Sequence, residues 1–405
     1  MKRVPVSFIV AGAIAVMLVS VLLIVGIPYF FRPSQFSGSM GGATLGSQTA
    51  LAKVTDIVDE GQINLNGKNQ LYQVMHVQVL EGDYKDISFQ IDYGKRQLRN
   101  DSFRFVPGDE VYVEVDKAPD GTLQANYMDY VRSRPLLILL ITFILSMLVM
   151  GRWKGLGSLI SLGISMVMII GYVIPHILAG EDPVTVSLIG SVILLVATLY
   201  LTYGWNLKTH ASAVSIMVSL LLTGALSLFF VYLTRLTGYG DENAMYLMQF
   251  SSASIDPRGL LLGGMIIGSL GVLDDLVTSQ SAAVVEIYDA NPSLGFRLTF
   301  QKAMRIGQDH VAATVNTLVL AYTGAALPLL LIFTLGNGSY SYFINSEFLA
   351  EEIVRTLVGS LGLIAAVPIS TFLATVIILY QARFGQWRIL FGPETGDEIG
   401  HGHTH

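Results

Sequence analysis

Two aspartates stand side by side inside an apolar run. Residues 259–285 read GLLLGGMIIGSLGVLDDLVTSQSAAVV, with Asp274 and Asp275 well inside it. At 1.5 Å per residue, Asp275 lies about 24 Å from the start of that run, past the middle of a hydrocarbon core about 30 Å thick. A carboxylate at such depth costs about 2.5–3.5 kcal/mol on insertion scales. It must therefore face a polar cavity, find a partner or carry a proton. Gly264, Gly268, Gly271 and Asp275 recur at spacings of four, three and four, and Thr278, Ser279 and Ala282 continue that face. Small residues at this spacing let a second helix approach closely, so the glycine face is expected to be the one turned toward protein. Asp274 is rotated by about 100° and shares its face with Ile267, Leu270 and Thr278. Asp275 is thus the candidate for taking up and releasing a proton or cation, with Asp274 tuning it as a like-charged neighbour. The alternative is an interhelical hydrogen bond that only holds a bundle together.

The next apolar stretch opens with Arg305–His310, and Asp309, Asn316 and Thr323 follow at intervals of seven. That spacing makes one polar stripe on a helix, suited to line the same cavity as Asp275. Taken singly, Asp309 reads as a helix cap and the other two as interhelical hydrogen-bonding groups. Before it, Phe296, Phe300, Ala303 and Met304 oppose Arg297, Gln301 and Arg305. Residues 293–308 are therefore expected to form a short amphipathic helix along an inner interface. His401, His403 and His405 at the end of the chain have imidazoles that could bind a transition metal. Their glycine and threonine spacers, with no carboxylate or cysteine framework, favour a solvated tail. No HExxH or GxSxG motif occurs and there is no cysteine. Adjacent carboxylates on a helix do not face each other as an acid–base dyad does. An enzyme is not expected, nor any cofactor.

The elements that must carry these groups follow from composition. The chain has 405 residues, 52% hydrophobic and only 13% charged, against about a quarter charged in an ordinary soluble domain. Net charge is −6, which supplies no basic field for nucleic acid. An apolar run behind Lys2 and Arg3 makes residues 1–31 an uncleaved anchor, longer than a secretory signal core of about 7–15 residues. Residues 32–50 have linker composition. Residues 51–133 alternate with period two, most clearly in Tyr72–Leu80 and Asp109–Val115. Asn66-Gly67, Pro107-Gly108-Asp109 and Asp120-Gly121 mark the turns. About five short strands in that length suit a small all-β domain of the OB kind. Residues 134–380 hold seven further apolar segments and 381–405 form a tail. The expected architecture is an α-helical polytopic bundle of eight spans carrying an extracytoplasmic β domain. Arg152, Lys154, Lys208, Arg297, Lys302, Arg305, Arg383 and Arg388 fall in alternate connections, which places both termini in the cytoplasm by the positive-inside rule.

Residues 268–286 (GSLGVLDDLVTSQSAAVVE), 305–333 (RIGQDHVAATVNTLVLAYTGAALPLLLIF), 151–155 (GRWKG) and the segment VPGDEVYVEV resemble the YibE/F family of bacterial multi-pass membrane proteins. The resemblance runs over most of the chain and implies a bacterial plasma-membrane location. It implies no biochemical activity. A more distant similarity links the last five spans to the membrane half of SecD/SecF and RND-type transporters, with Asp275 in the acidic position; two additional spans and a smaller outer domain set this chain apart.

Together these features lead to the expectation of a secondary transporter or proton-coupled membrane machine. The competing expectation is a scaffold or receptor whose β domain binds a partner or envelope component. The lipid bilayer is the one partner the composition demands, and a homo-oligomer is compatible with the glycine face. Nucleic acid is not a partner.

Overall fold

The computed structural model describes residues 48–97, 103–117, 121–250, 255–335 and 339–380. The anchor expected over 1–31, most of the linker, and the tail with His401, His403 and His405 lie outside the described residues. The chain divides into two compact units, with the boundary between Leu145 and Ser146.

The first unit is a five-stranded antiparallel sheet of β1 (Gln48–Leu65), β2 (Lys68–Val79), β3 (Ser88–Tyr93), β4 (Glu110–Lys117) and β5 (Leu123–Tyr130), in the order β3-β2-β1-β4-β5. Three residues expected in the linker, 48–50, thus already belong to β1. This long strand serves both halves: residues 48–53 pair with β4 and residues 52–65 with β2. Register shifts at Val54/Asp56 and Ile57/Asp59 bend it, as bulges do, and the sheet curls into a half-barrel that brings β3 against β5. Asn66 and Gly67, both at positive φ, make the tight turn between β1 and β2 that their sequence demands. Alternate residues Val54, Met75, Val77, Ile91, Val111 and Val113 fill the concave side. There the rings of Tyr93, Phe105 and Tyr127 meet edge-on at 4.9–5.4 Å. Gln73 is fully buried and satisfied: its Oε1 accepts from Phe105 N at 2.7 Å and its Nε2 donates to Phe105 O at 3.1 Å and to Glu60 at 3.0 Å. A buried amide paid for in this way fixes the approach to β4.

The second unit is helical. Six described helices are long and apolar enough to cross a membrane: α1 (Ser133–Arg152), which starts in the first unit, α2 (Gly155–Leu178), α3 (Pro183–Tyr203), α4 (Leu207–Leu233), α6 (Pro257–Ala290) and α10 (Glu347–Leu379). Shorter or less apolar are α5 (Glu242–Phe250), α7 (Phe296–Ala325), α8 (Leu327–Leu335) and α9 (Tyr340–Ile344). Arg152, at φ 48°, turns the chain between α1 and α2. Both α3 and α6 start at an Asp-Pro pair, in which Asp182 or Asp256 caps the first backbone N–H groups and the proline occupies a position needing no donor.

Two expectations are corrected here. The apolar stretch that opens with Arg305–His310, expected as one span, is interrupted at Ala326, because Pro328 cannot continue the hydrogen-bond ladder of α7. The short interfacial helix foreseen over 293–308 is instead the first half of the continuous α7, with Thr299, Ala303 and Gly307 buried.

Helix α6 is central, packing on α3, α4, α7 and α10. Its Ile266, Leu270, Leu273 and Val277 share a core with Leu195 and Leu199 of α3, Ile216 and Leu220 of α4, and Leu363 and Val367 of α10. Small side chains set the closest approaches. On α4, Ala211, Ser215, Ser219, Thr223 and Ser227 are buried at intervals of four. A Cβ on Gly362 of α10 would sit 2.3 Å from Thr223 Oγ1, and one on Gly263 of α6 would sit 2.4 Å from Ser187 Oγ of α3. The hydroxyls of Ser215, Thr223 and Ser227 return to carbonyls four residues earlier at 2.7–2.9 Å, so these three enter an apolar seam with their donors satisfied. At one end of the unit, Glu347 accepts from Thr237 Oγ1 (2.5 Å) and Gly238 N (3.2 Å), and buried Glu351 from Gly240 N (3.0 Å), tying the segment after α4 to α10.

Candidate functional site

Asp274 and Asp275 occupy the middle of the 34-residue α6. Asp274 is half-buried and Asp275 is exposed. Thr278 Oγ1 donates to Asp274 Oδ1 at 3.4 Å, one turn on. Tyr203, at the end of α3, lies within electrostatic reach of both carboxylates, and Lys208 Nζ of α4 stands 5.9 Å from the centre of its ring. On the other side Ser279 Oγ is 3.3 Å from His310 Nδ1 of α7, and also donates to Asp275 O at 2.9 Å. The cluster thus joins α3, α4, α6 and α7 around two carboxylates. Among the described residues neither carboxylate has an ion-pair partner. Deeper in the core, Gln280 Nε2 donates to Ala303 O of α7 (2.9 Å) and Thr371 Oγ1 of α10 (2.7 Å). Gly307 makes room for this amide, since a Cβ there would meet Gln280 Oε1 at 2.8 Å.

The glycine face is the reverse of the expected one. Among the described residues, a Cβ added to Gly264 or Gly271 would meet nothing within 4 Å, and one added to Gly268 only Tyr322 Oη at 3.9 Å. Among the described residues these glycines bring no helix close; Gly263, one position away, does. The physical reason is that the core-facing arc of α6 is set by Ile266, Leu270, Leu273 and Val277, whose burial against α3, α4 and α10 outweighs any signal from small residues.

Asp309, Asn316 and Thr323 do form one stripe of α7, but they are exposed, while Val311, Val315 and Leu318 face the core. Among the described residues none of the three makes a hydrogen bond to Asp274 or Asp275. Asp309 lies in the interior of α7 and caps no helix, since α7 starts at Phe296. Thr323 instead lines a second chamber near the break at Ala326.

Sequence spacing alone does not single out Tyr203, Gln280, Tyr322, Glu352 or Arg355. Tyr203 and Gln280 carry no local periodicity that points to a neighbour on another helix. Arg355, two turns into α10, pairs with Glu352 at 2.8 Å. A charged pair inside an apolar helix is the signal that was available.

No curated protein and no solved structure matches the chain. The family model described as YibE/F-like protein matches residues 139–379, a stretch that holds the whole cluster and more than half of the sequence. With its run of long apolar helices, this multi-pass membrane protein belongs to the YibE/F-like family.

Proposed function

We propose that the protein is a secondary transporter or proton-coupled membrane machine in which Asp275 takes up and releases a proton or cation. The observation that carries this is the unequal pair at mid-length in the central helix. Asp274 is half-buried and held by Thr278, whereas Asp275 is open and lacks a described cationic partner. Ionisable residues at membrane depth mark ion or proton paths. One turn on from Asp275, Ser279 Oγ stands 3.3 Å from His310 Nδ1 of α7, which brings a second polar group to the same stretch of α6. In this reading no bond of a substrate is broken, so the protein is not an enzyme. Both termini face the cytoplasm of a bacterial cell, eight spans cross its plasma membrane, and the half-barrel lies outside. The shared strand β1 and the approach of β3 to β5 support an OB-like reading of that domain.

The test is flux into vesicles reconstituted with the full chain under an imposed pH gradient, followed by an entrapped pH-sensitive dye. Asp275→Asn is expected to abolish proton-coupled flux while elution profile and helix content stay unchanged. Asp274→Asn should slow it without abolishing it. Unaltered flux in the Asp275 variant overturns the mechanism and favours the β domain as the working part.

A further inference from the structure

Between α7, α8, α9 and α10 lies a chamber of about 430 Å³. It lies beside the break at Ala326, which lines it together with Leu330 of α8 and the first turns of α10. Its wall is apolar over most of its area, formed by Leu330, Leu349, Ile353 and Leu357. Three aromatic rings, Tyr322, Tyr340 and Phe343, complete it, and among the described residues one charged side chain lines it, Glu352. The Arg355 guanidinium, which holds Glu352 at 2.8 Å, opens instead onto a separate crevice with Gly268 and Ser269 of α6. Tyr322 stands in the wall of both spaces.

We propose that this chamber binds an amphipathic organic cation, with its apolar body against the aliphatic wall and its charged head between Glu352 and the aromatic rings. Pockets for small molecules are mostly apolar with a few convergent polar groups. A carboxylate among several aromatic rings favours positive charge, because the face of a ring carries the negative part of its quadrupole. The cation competes with Arg355 for Glu352. Its arrival loosens the ion pair and Tyr322, the two features standing between the chamber and the crevice on α6. An anion of the same shape gains no such contact, and a lipid chain gains only the apolar wall.

This assignment rests on the chamber and not on Asp275, so it stands or falls apart from the transport reading. The test is equilibrium binding of decyltrimethylammonium to the detergent-purified full chain, compared with decyl sulfate, an anion with the same apolar body. Saturable binding of the cation is expected, with the anion weaker by at least about tenfold. Glu352→Gln should weaken the cation about tenfold, the scale of one charge-assisted contact. Ile353→Trp should fill the chamber and abolish binding, and Asp275→Asn should leave it intact. Elution profiles and melting temperatures confirm that each variant is folded. Equal binding of the two ions, or a Glu352 variant that binds as the parent does, overturns the proposal and leaves the chamber a niche for lipid chains. Absence of saturable binding overturns it outright.

Discussion

Asp274 and Asp275 differ by one position and about 100° of helical phase, and that rotation gives them different surroundings. Asp274 is half-buried and accepts from Thr278; Asp275 shares its exposed face with Gly268 and Gly271. Outside the membrane-spanning segments, the same residue type does a simpler job. Asp182 accepts from Thr185 Oγ1 (2.6 Å) and Thr185 N (2.8 Å), and these hydrogen bonds hold its carboxyl below the usual carboxylate range. A depressed folded pKa adds stability that is present above the unfolded value of about 3.9 and is lost as pH falls through the folded one. Asp182→Ala should therefore lower the stability of the helical unit by about 1 kcal/mol near neutral pH. Asp182→Asn should keep most of the cap and remove its acid sensitivity. Thermal melts in detergent between about pH 7 and pH 3 measure both, since an acid-dependent difference between parent and Asn variant is the expected signature.

At the scale of elements, helix packing here depends on which small residues meet a neighbour. Gly263 and Gly264 are adjacent and of one type, yet only Gly263 lies against Ser187 and Pro183. Gly263→Ile must push α3 off α6 and should cost about 1–3 kcal/mol or more, as overpacking does. Gly264→Ile should leave the monomer's melting temperature unchanged. If it instead lowers the order of an oligomer on a sizing column, the face bearing Gly264 and Gly268 is covered by a second copy. The family resemblance quoted from residues 268–286 and 305–333 was carried by just these elements, and the family match includes both. Their apolar and polar letters were legible in sequence, but the arc each helix buries was not. Burial is settled by the partner helices, and a glycine repeat names no partner. The interruption at Ala326 was likewise concealed, because Leu327–Leu335 is itself apolar and extends the hydropathy of α7 without a gap.

At the scale of the whole molecule, the chain is built as two units with separate cores. The sheet unit buries Val77, Val79, Val111, Val113 and Val115 completely among its own strands. A fragment of residues 33–132 is therefore expected to fold alone and to melt cooperatively, with near-ultraviolet dichroism from Tyr93, Phe105 and Tyr127 lost in the same transition. A gradual loss without a sigmoidal melt would show that the sheet needs the helices. The helical unit is apolar outside as well as inside: Leu221, Phe229, Leu357 and Phe372 are among its exposed side chains. A surface of that kind has no stable place in water.

The amino-acid order alone determined that long apolar helices follow a strand-rich segment, that Asn66-Gly67 closes a hairpin, and that two carboxylates lie deep in one of the helices. Each of these is a local property: hydropathy over about twenty residues, alternation over about five, or a turn that needs positive φ. Tertiary structure decided which carboxylate is enclosed and which is open, that Asp309, Asn316 and Thr323 face away from the core, and that Glu352 and Arg355 open onto different spaces. Those outcomes depend on where α3, α4 and α10 settle around α6. Helical phase tells which residues share a face, and only packing tells what that face meets.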